Sequence, residues 1–220
     1  MDNSTSLKVL ITAGPTREAI DPVRYISNHS SGKMGIAIAE SFAKQGCLVT
    51  LVLGPTHLTV NNPLVKIEQV TSAKEMYDKC NTLYAQVDVA IFAAAVADYT
   101  PKEVATQKVK KNSGEWNIEL EKTKDIAQEM GKRKTNKQLN IVFALETNNE
   151  LENAHAKLIK KNADFVVLNS MQDEGAGFGH DTNKVTLIFK NGLVKSKTLM
   201  TKQALAEDIC QEVINTYKNL

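Results

Sequence analysis

The chain has 220 residues, 42% hydrophobic and 24% charged, and 27 basic against 25 acidic residues leave a formal net charge of +2. That length suffices to bury a sizeable core, and so even a charge balance argues against a nucleic-acid-binding surface. No apolar run approaches the ~20 residues of a membrane span, and Met1-Asp2-Asn3-Ser4 lacks the pattern of a signal sequence, so a cytoplasmic protein without membrane partners is expected.

Along the chain, strand-like and helix-like segments alternate. Lys8–Thr12 is a short apolar strand, and Lys33–Gln45 is a helix with Met34, Ile36, Ala37, Phe42 and Ala43 apolar. Leu48–Leu53 is the next strand and Ser72–Gln86 the second helix. Val87–Ala95 is almost continuously apolar, as a strand buried on both faces must be. Trp116–Glu121 alternates in the manner of a strand, Lys124–Gly131 reads as a short helix, and Asn140–Ala144 as another buried strand. Asn149–Asn162 is helical and Asp164–Leu168 a strand. Lys184–Lys190 and Val194–Leu199 form a hairpin turned at Asn191-Gly192. Thr201–Tyr217 closes the pattern as a helix, with Leu205, Ile209, Val213 and Tyr217 on one stripe. This predicts an α/β fold: a Rossmann-like parallel sheet flanked by helices, with a C-terminal β-hairpin and helix, as one domain over residues 1–220. Gly175-Ala176-Gly177-Phe178-Gly179 reads as a mobile loop.

The connection from Thr12 to Ser31 is long for a strand-to-helix link, and such links are commonly functional. It ends in Ser30-Ser31-Gly32-Lys33 at a helix start, where backbone N–H groups and the helix dipole attract anions. These four residues suit the phosphate of a carboxylate-bearing substrate. Arg24 can clamp such a substrate bidentately or pin the loop through a carboxylate such as Asp21. Two nucleotide motifs are absent. Gly32-Lys33 is followed by Met34 rather than Ser or Thr, so there is no P-loop. Gly14 stands alone after the first strand, and the second runs out in Leu53-Gly54-Pro55 without an acid, so dinucleotide binding is disfavoured.

In open α/β sheets, ligands bind at the carboxyl ends of the strands. Small residues at Ala93, Ala94, Ala95 and Ala97 let a base or ribose approach the backbone, or serve tight helix–sheet packing. Asp98 suits ribose hydroxyls or a cap. Lys157 and Lys161 lie four apart on one helix face and can converge on one anion. The four histidines show no metal-ligand spacing. Cys47, Cys80 and Cys210 are odd in number and unpatterned, and read as buried small hydrophobes.

Ile11-Thr12-Ala13-Gly14-Pro15-Thr16-Arg17-Glu18 with Asp21 to Gly35 resembles bacterial phosphopantothenate–cysteine ligase, the synthetase of coenzyme A biosynthesis. Further matching stretches are Ala93 to Tyr99, Lys108-Val109-Lys110-Lys111 and Phe143 to Asn149, in the family's order over most of the chain. The resemblance implies an enzyme that activates 4′-phosphopantothenate with CTP to an acyl-cytidylate, then joins it to L-cysteine. CMP and pyrophosphate are released. It implies Mg2+ with the triphosphate, no flavin in this part, a homodimer, and a stand-alone form whose decarboxylase is a separate protein. It also assigns roles. Asn28 corresponds to the asparagine needed for the acyl-nucleotide to react, and Lys108 to the lysine needed in activation. Phe92, Ala93, Ala94, Asp98, Lys124, Asp125, Ile126, Ala127, Phe143, Lys157 and Lys161 match nucleotide-binding positions, although Lys124 stands where the family often has proline. Thr100–Glu121, with its Lys-rich loop, is a candidate to reach the neighbouring subunit. The alternative is a Rossmann-like NAD(P)-dependent reductase or nucleotide-binding module, which needs no joint presence of Asn28, Lys108 and Asp98.

Overall fold

The computed structural model describes residues 6–110, 114–170 and 181–220. Gly175–Gly179 and Lys111 lie outside the described residues. Six parallel strands form the centre of an eight-stranded sheet: β1 (Lys8–Ala13), β2 (Leu48–Leu53), β3 (Val65–Gln69), β4 (Val89–Phe92), β5 (Leu139–Glu146) and β6 (Phe165–Ser170). Their spatial order is β3-β2-β1-β4-β5-β6, that of a Rossmann-like sheet. An antiparallel hairpin, β7 (Val185–Phe189) and β8 (Val194–Ser196), extends the sheet beyond β6. The helices are α1 (Lys33–Lys44), α2 (Ala73–Leu83), α3 (Ile126–Lys132), α4 (Glu150–Lys160) and α5 (Lys202–Lys218). None of them is long and apolar enough to cross a membrane.

Register places apolar side chains in continuous rows across the sheet. Leu51, Ile11, Ile91, Ile141, Phe165 and Phe189 stand side by side on one face. That face packs with Ile38 and Phe42 of α1 and Leu205, Ile209 and Val213 of α5. One residue along, Val52, Phe92, Val142, Val166 and Ile188 belong to the opposite face, with Met76, Met130 and Leu158 of α2, α3 and α4. Each fully buried Leu, Ile or Phe contributes about 1.5–3 kcal/mol. Apolar runs buried on both faces therefore fix the five inner parallel strands, β1, β2, β4, β5 and β6.

Three segments depart from the sequence expectation. β3 is an additional strand: Lys66 and Glu68 break its apolar pattern, and Glu68 pairs with Lys66 and Lys79 instead. The ladder of β4 ends at Phe92, and Ala95 continues only as a bridge to Pro15. Trp116–Glu121 is not one strand. Only Leu120–Lys122 pairs, with Tyr99–Pro101, in a small ribbon whose second strand is wholly exposed. Without a buried face, its alternation of residue types carries little weight.

The long Thr12–Ser31 connection is held in place at several points. Arg17–Ala19 and Tyr25–Ser27 form an antiparallel ribbon. The Arg17 N–H donates to the Thr71 carbonyl at 2.8 Å, and buried Glu18 accepts the Ala73 N–H at 2.9 Å, at the start of α2. The Thr16 hydroxyl accepts the Ala97 N–H at 3.0 Å. These bonds set the loop over the β1/β4 boundary, where the strand order reverses.

Candidate active site

A cavity of about 430 Å³ opens at the carboxyl ends of β1, β4 and β5. Its first wall is the β1–α1 loop. Asn28 lines it, and its Nδ2 donates to the Ala95 and Val96 carbonyls at 3.0 and 3.1 Å, binding the loop to the end of β4. Gly32 caps α1 at φ +81°, and a Cβ there would stand 3.1 Å from the Gly14 Cα. A side chain would thus be strained and would crowd the first turn after β1. No side chain caps α1, so its first N–H groups stay available to a ligand. Ser30 accepts the Gly32 N–H at 3.2 Å, and Ser30, Ser31, Gly32 and Lys33 all line the cavity.

The floor is Phe92, Ala93, Ala94 and Ala95, with exposed Asp98 at the rim. The Asp98 carbonyl accepts the Thr123 N–H at 3.0 Å, and the Thr123 hydroxyl donates to Ala97 at 2.6 Å, which brings α3 to the cavity. Lys124 lies over the Tyr77 ring at 4.3 Å. Asp125 caps α3, accepting the Gln128 N–H at 3.1 Å, so α3 begins at Ile126 rather than Lys124. Lys161 reaches Asp125 at 3.2 Å and Lys157 reaches Glu146 at 2.6 Å. Ile126, Ala127 and Phe143 complete this side. Residues from five separate stretches of sequence thus meet in one cavity.

Two candidates stand elsewhere. Lys108 is exposed and outside the lining. Arg24 is committed to Asp21 through Nε, at 3.0 Å, and through a close Nη2 contact. Its guanidinium also donates to the Val109 carbonyl at 3.0 Å and lies 4.4 Å from the Trp116 ring centroid. Of the two roles open to Arg24, the structure displays the pinning one. The Arg24 guanidinium, then the Val23, Arg24 and Val109 N–H groups, hold the Asp21 carboxyl well below the usual range, against the opposing effect of burial. This clamp fastens the start of the Lys-rich segment to the β1–α1 loop.

Sequence reasoning did not find Thr123, Asn169, Asn183 or Lys202, all of which line the cavity. Asn183 donates to Asn169 at 2.7 Å across the β6–β7 edge. Lys202 is the first residue of α5 and only 7% exposed. Its cue was faint: a lysine directly after a threonine cap, in the turn where a cation is least favoured. Lys33 forms an ion pair with Asp181 beside it. Burial pushes the Cys80 and Cys210 thiols up to about 12, and Cys47 is raised for the same reason. None of the three lines the cavity, so a thiolate nucleophile is not part of this site. Among the described residues, no group of three or more His, Cys, Asp or Glu is placed to hold a metal.

Residues 4–217 match the family described as DNA/pantothenate metabolism flavoprotein C-terminal domain. The chain is 47% identical over 212 residues to the coenzyme A biosynthesis bifunctional protein CoaBC of Haemophilus influenzae, covering 96% of this chain and 52% of that protein. It is 49% identical over 207 residues to a cysteine/cysteine sulfinic acid decarboxylase of an unknown prokaryotic organism, covering 94% of this chain and 58% of that one. The chain therefore spans little more than half the length of these relatives. The crystal structure of the C-terminal domain of a CoaBC protein superposes with a TM-score of 0.83 at 42% identity, covering both chains completely. The chain belongs to the family of the C-terminal domain of the DNA/pantothenate metabolism flavoprotein.

Proposed function

We propose that this protein is a phosphopantothenate–cysteine ligase acting in the cytoplasm as a homodimer. The observation that carries this reading is the meeting of Asn28, Ser30–Lys33, Ala93–Val96, Asp98, Lys124–Ala127, Phe143, Lys157 and Lys161 around one cavity. Asn28 to Lys33, Ala93 to Asp98 and Phe143 lie in stretches that resemble that ligase, the others match its nucleotide-binding positions, and the CoaBC relatives are named for coenzyme A biosynthesis.

In the first step, a carboxylate oxygen of 4′-phosphopantothenate attacks the α-phosphorus of CTP. The P–O bond to pyrophosphate breaks, leaving an acyl-cytidylate. The amine of L-cysteine then attacks the acyl carbon, loses a proton, and expels CMP as the amide forms. Both steps gather anions, so the work of the site is positioning and charge stabilisation. Phe92 to Ala94 and Phe143 hold the base and ribose, and Lys157 and Lys161 face the phosphates. Asn28 stabilises the acyl oxygen during attack by cysteine, exchanging one of its two carbonyl partners for that oxygen. Lys108 acts from the exposed segment on the neighbouring subunit's cavity, and Arg24 pins that segment to its own β1–α1 loop through Asp21 and Val109.

Mg2+ fits this arrangement as a companion of the triphosphate. It keeps most of its waters and takes one or two carboxylates along with phosphate oxygens, and Asp98 offers one carboxylate at the rim. Bound there, the ion would neutralise phosphate charge.

The reductase alternative draws on the strand order alone. The end of β2 offers no acid for a ribose, and a Cβ at Gly54 would meet the Pro15 carbonyl oxygen at 1.9 Å, so the β1 loop closes that side. Titrating CTP, ATP and NADPH separately against the purified protein tests the reading, together with phosphopantothenoylcysteine formation from CTP. Binding of NADPH without either triphosphate would overturn it.

A further inference from the structure

The β1–α1 loop has a second face. Behind it lies another hollow, closed on the far side by residues 55–58, which follow β2. The Thr56 hydroxyl donates to the Ser31 carbonyl at 2.7 Å and ties the two walls together. Asn28, Ser30 and Ser31 line this hollow as well as the cavity described above, so the loop is a partition between two chambers. The ionisable side chains around the hollow are Arg17, Tyr25, His29 and His57, and none of its lining residues is Asp or Glu. Arg17 and Tyr25 stand on the two strands of the loop's ribbon, with the guanidinium carbon 4.6 Å from the Tyr25 ring centroid. Stacking occupies the flat face of a guanidinium and leaves its in-plane N–H donors free to bond. Among the described residues no carboxylate pairs with Arg17, whereas the Arg24 guanidinium is taken up by Asp21.

A guanidinium held on a tyrosine ring, with two imidazoles nearby and no acid, suits a small carboxylate bound through both oxygens. The ligase reading, on which this inference rests, leaves one such ligand without a place: the amino acid that attacks the acyl-cytidylate. CMP is the leaving group and fills the first chamber, so the amine has to reach the acyl carbon from another side. Asn28 meets the acyl oxygen in that reading, and Asn28 is where the two chambers share a wall. We propose that the second hollow is the amino-acid subsite, in which Arg17 binds the carboxylate of L-cysteine and so turns its amine toward Asn28.

The test compares L-cysteine with cysteamine, which keeps the amine and the thiol but lacks the carboxylate. Wild type should favour cysteine in kcat/KM. Arg17→Met should lower kcat/KM for cysteine by roughly 10- to 100-fold, the loss of a charged hydrogen-bond donor, chiefly through KM. It should leave turnover of cysteamine, and the pyrophosphate burst without any amine, as in wild type. Arg17→Lys keeps the charge without the planar fork and should recover part of the loss. His57→Glu, on the opposite wall, should disfavour cysteine against cysteamine in the same direction, by charge repulsion. An undiminished preference for cysteine in Arg17→Met overturns the proposal. Equal losses for the two amines overturn it too, and a weakened burst alongside them assigns Arg17 to holding the loop. If wild type makes no phosphopantothenoylcysteine, the ligase reading falls, and the hollow is judged by NMR alone. L-Cysteine but not cysteamine should then move the His57 ring signals, and identical responses to both would sink the subsite as well.

Discussion

Asn28 concentrates two jobs in one side chain. Its amide closes the β1–α1 loop onto the Ala95 and Val96 carbonyls, and in the proposed reaction it meets the acyl oxygen. Asn28→Asp keeps the shape but turns an anion toward both carbonyls and the developing oxyanion. Ligation should fall by about 10²–10³, while one equivalent of pyrophosphate is released and acyl-cytidylate accumulates, visible by mass spectrometry. Loss of the pyrophosphate burst would assign Asn28 to holding the loop instead. Asp21 carries a pH signature. Its folded carboxyl ionises well below the ~3.9 of an unfolded chain, so the stability it adds is fully present above that value and shrinks steadily as pH falls below it toward the depressed folded value. Asp21→Asn should therefore melt below wild type near neutral pH, the gap closing as the solution becomes more acid than about pH 3. A gap unchanged across that range would mean that the ionised carboxylate contributes nothing. Residues whose chemistry sits in a continuous stretch, such as Asn28 and Ser30 to Lys33, were legible from sequence. Lys202 and Asn183 were not, because the fold alone brings them to the cavity from over 100 positions away.

At the level of elements, legibility followed burial. β1, β2, β5 and β6 announce themselves by apolar runs, since both faces are covered. Edge strand β3 is masked by Lys66, Glu68 and Gln69, whose side chains answer to solvent and to ion pairs rather than to a core. Polar groups also knit the end of the sheet away from the cavity. Asp164 accepts the Asn140 N–H at 2.7 Å and Lys134 at 2.5 Å, and the Tyr84 hydroxyl donates to Asn140 at 2.9 Å. Burial raises the Tyr84 hydroxyl to about 12, which keeps it a neutral donor. Lys134 is nearly buried here, so removing its partner strands a charge. Asp164→Asn should destabilise the fold by about 3 kcal/mol in denaturant melts and leave affinity for CTP untouched. A loss of CTP affinity at temperatures where the variant is folded would show that the two ends of the sheet are coupled.

At the scale of the whole molecule, the question is where Lys108 acts. It is exposed on a segment that the Arg24–Asp21–Val109 clamp ties to the β1–α1 loop of its own chain. If it serves the neighbouring subunit, Lys108→Gln should abolish pyrophosphate release, and mixing it with Asn28→Asp should restore activity. Random re-association puts half the chains in mixed dimers, each with one intact site, so about a quarter of wild-type turnover should return. No recovery on mixing would place Lys108 in its own subunit's cavity.

The packing of α5 on α1 has a consequence in time. The helix that opens the cavity and the helix that closes it are the first and last of the five in chain order, and they cover the same face of β1. A nascent chain that has passed α4 already carries the motifs from Asn28 to Lys161, but not Asn169, Asn183 or Lys202. At ~5–20 residues per second, the stretch from Lys160 to Lys218 takes on the order of 3–12 s to translate. Throughout that interval α1 alone covers the face of β1 that it later shares with α5, and the cleft lacks its far wall. The cavity is therefore complete only once α5 has been made and has docked beside α1.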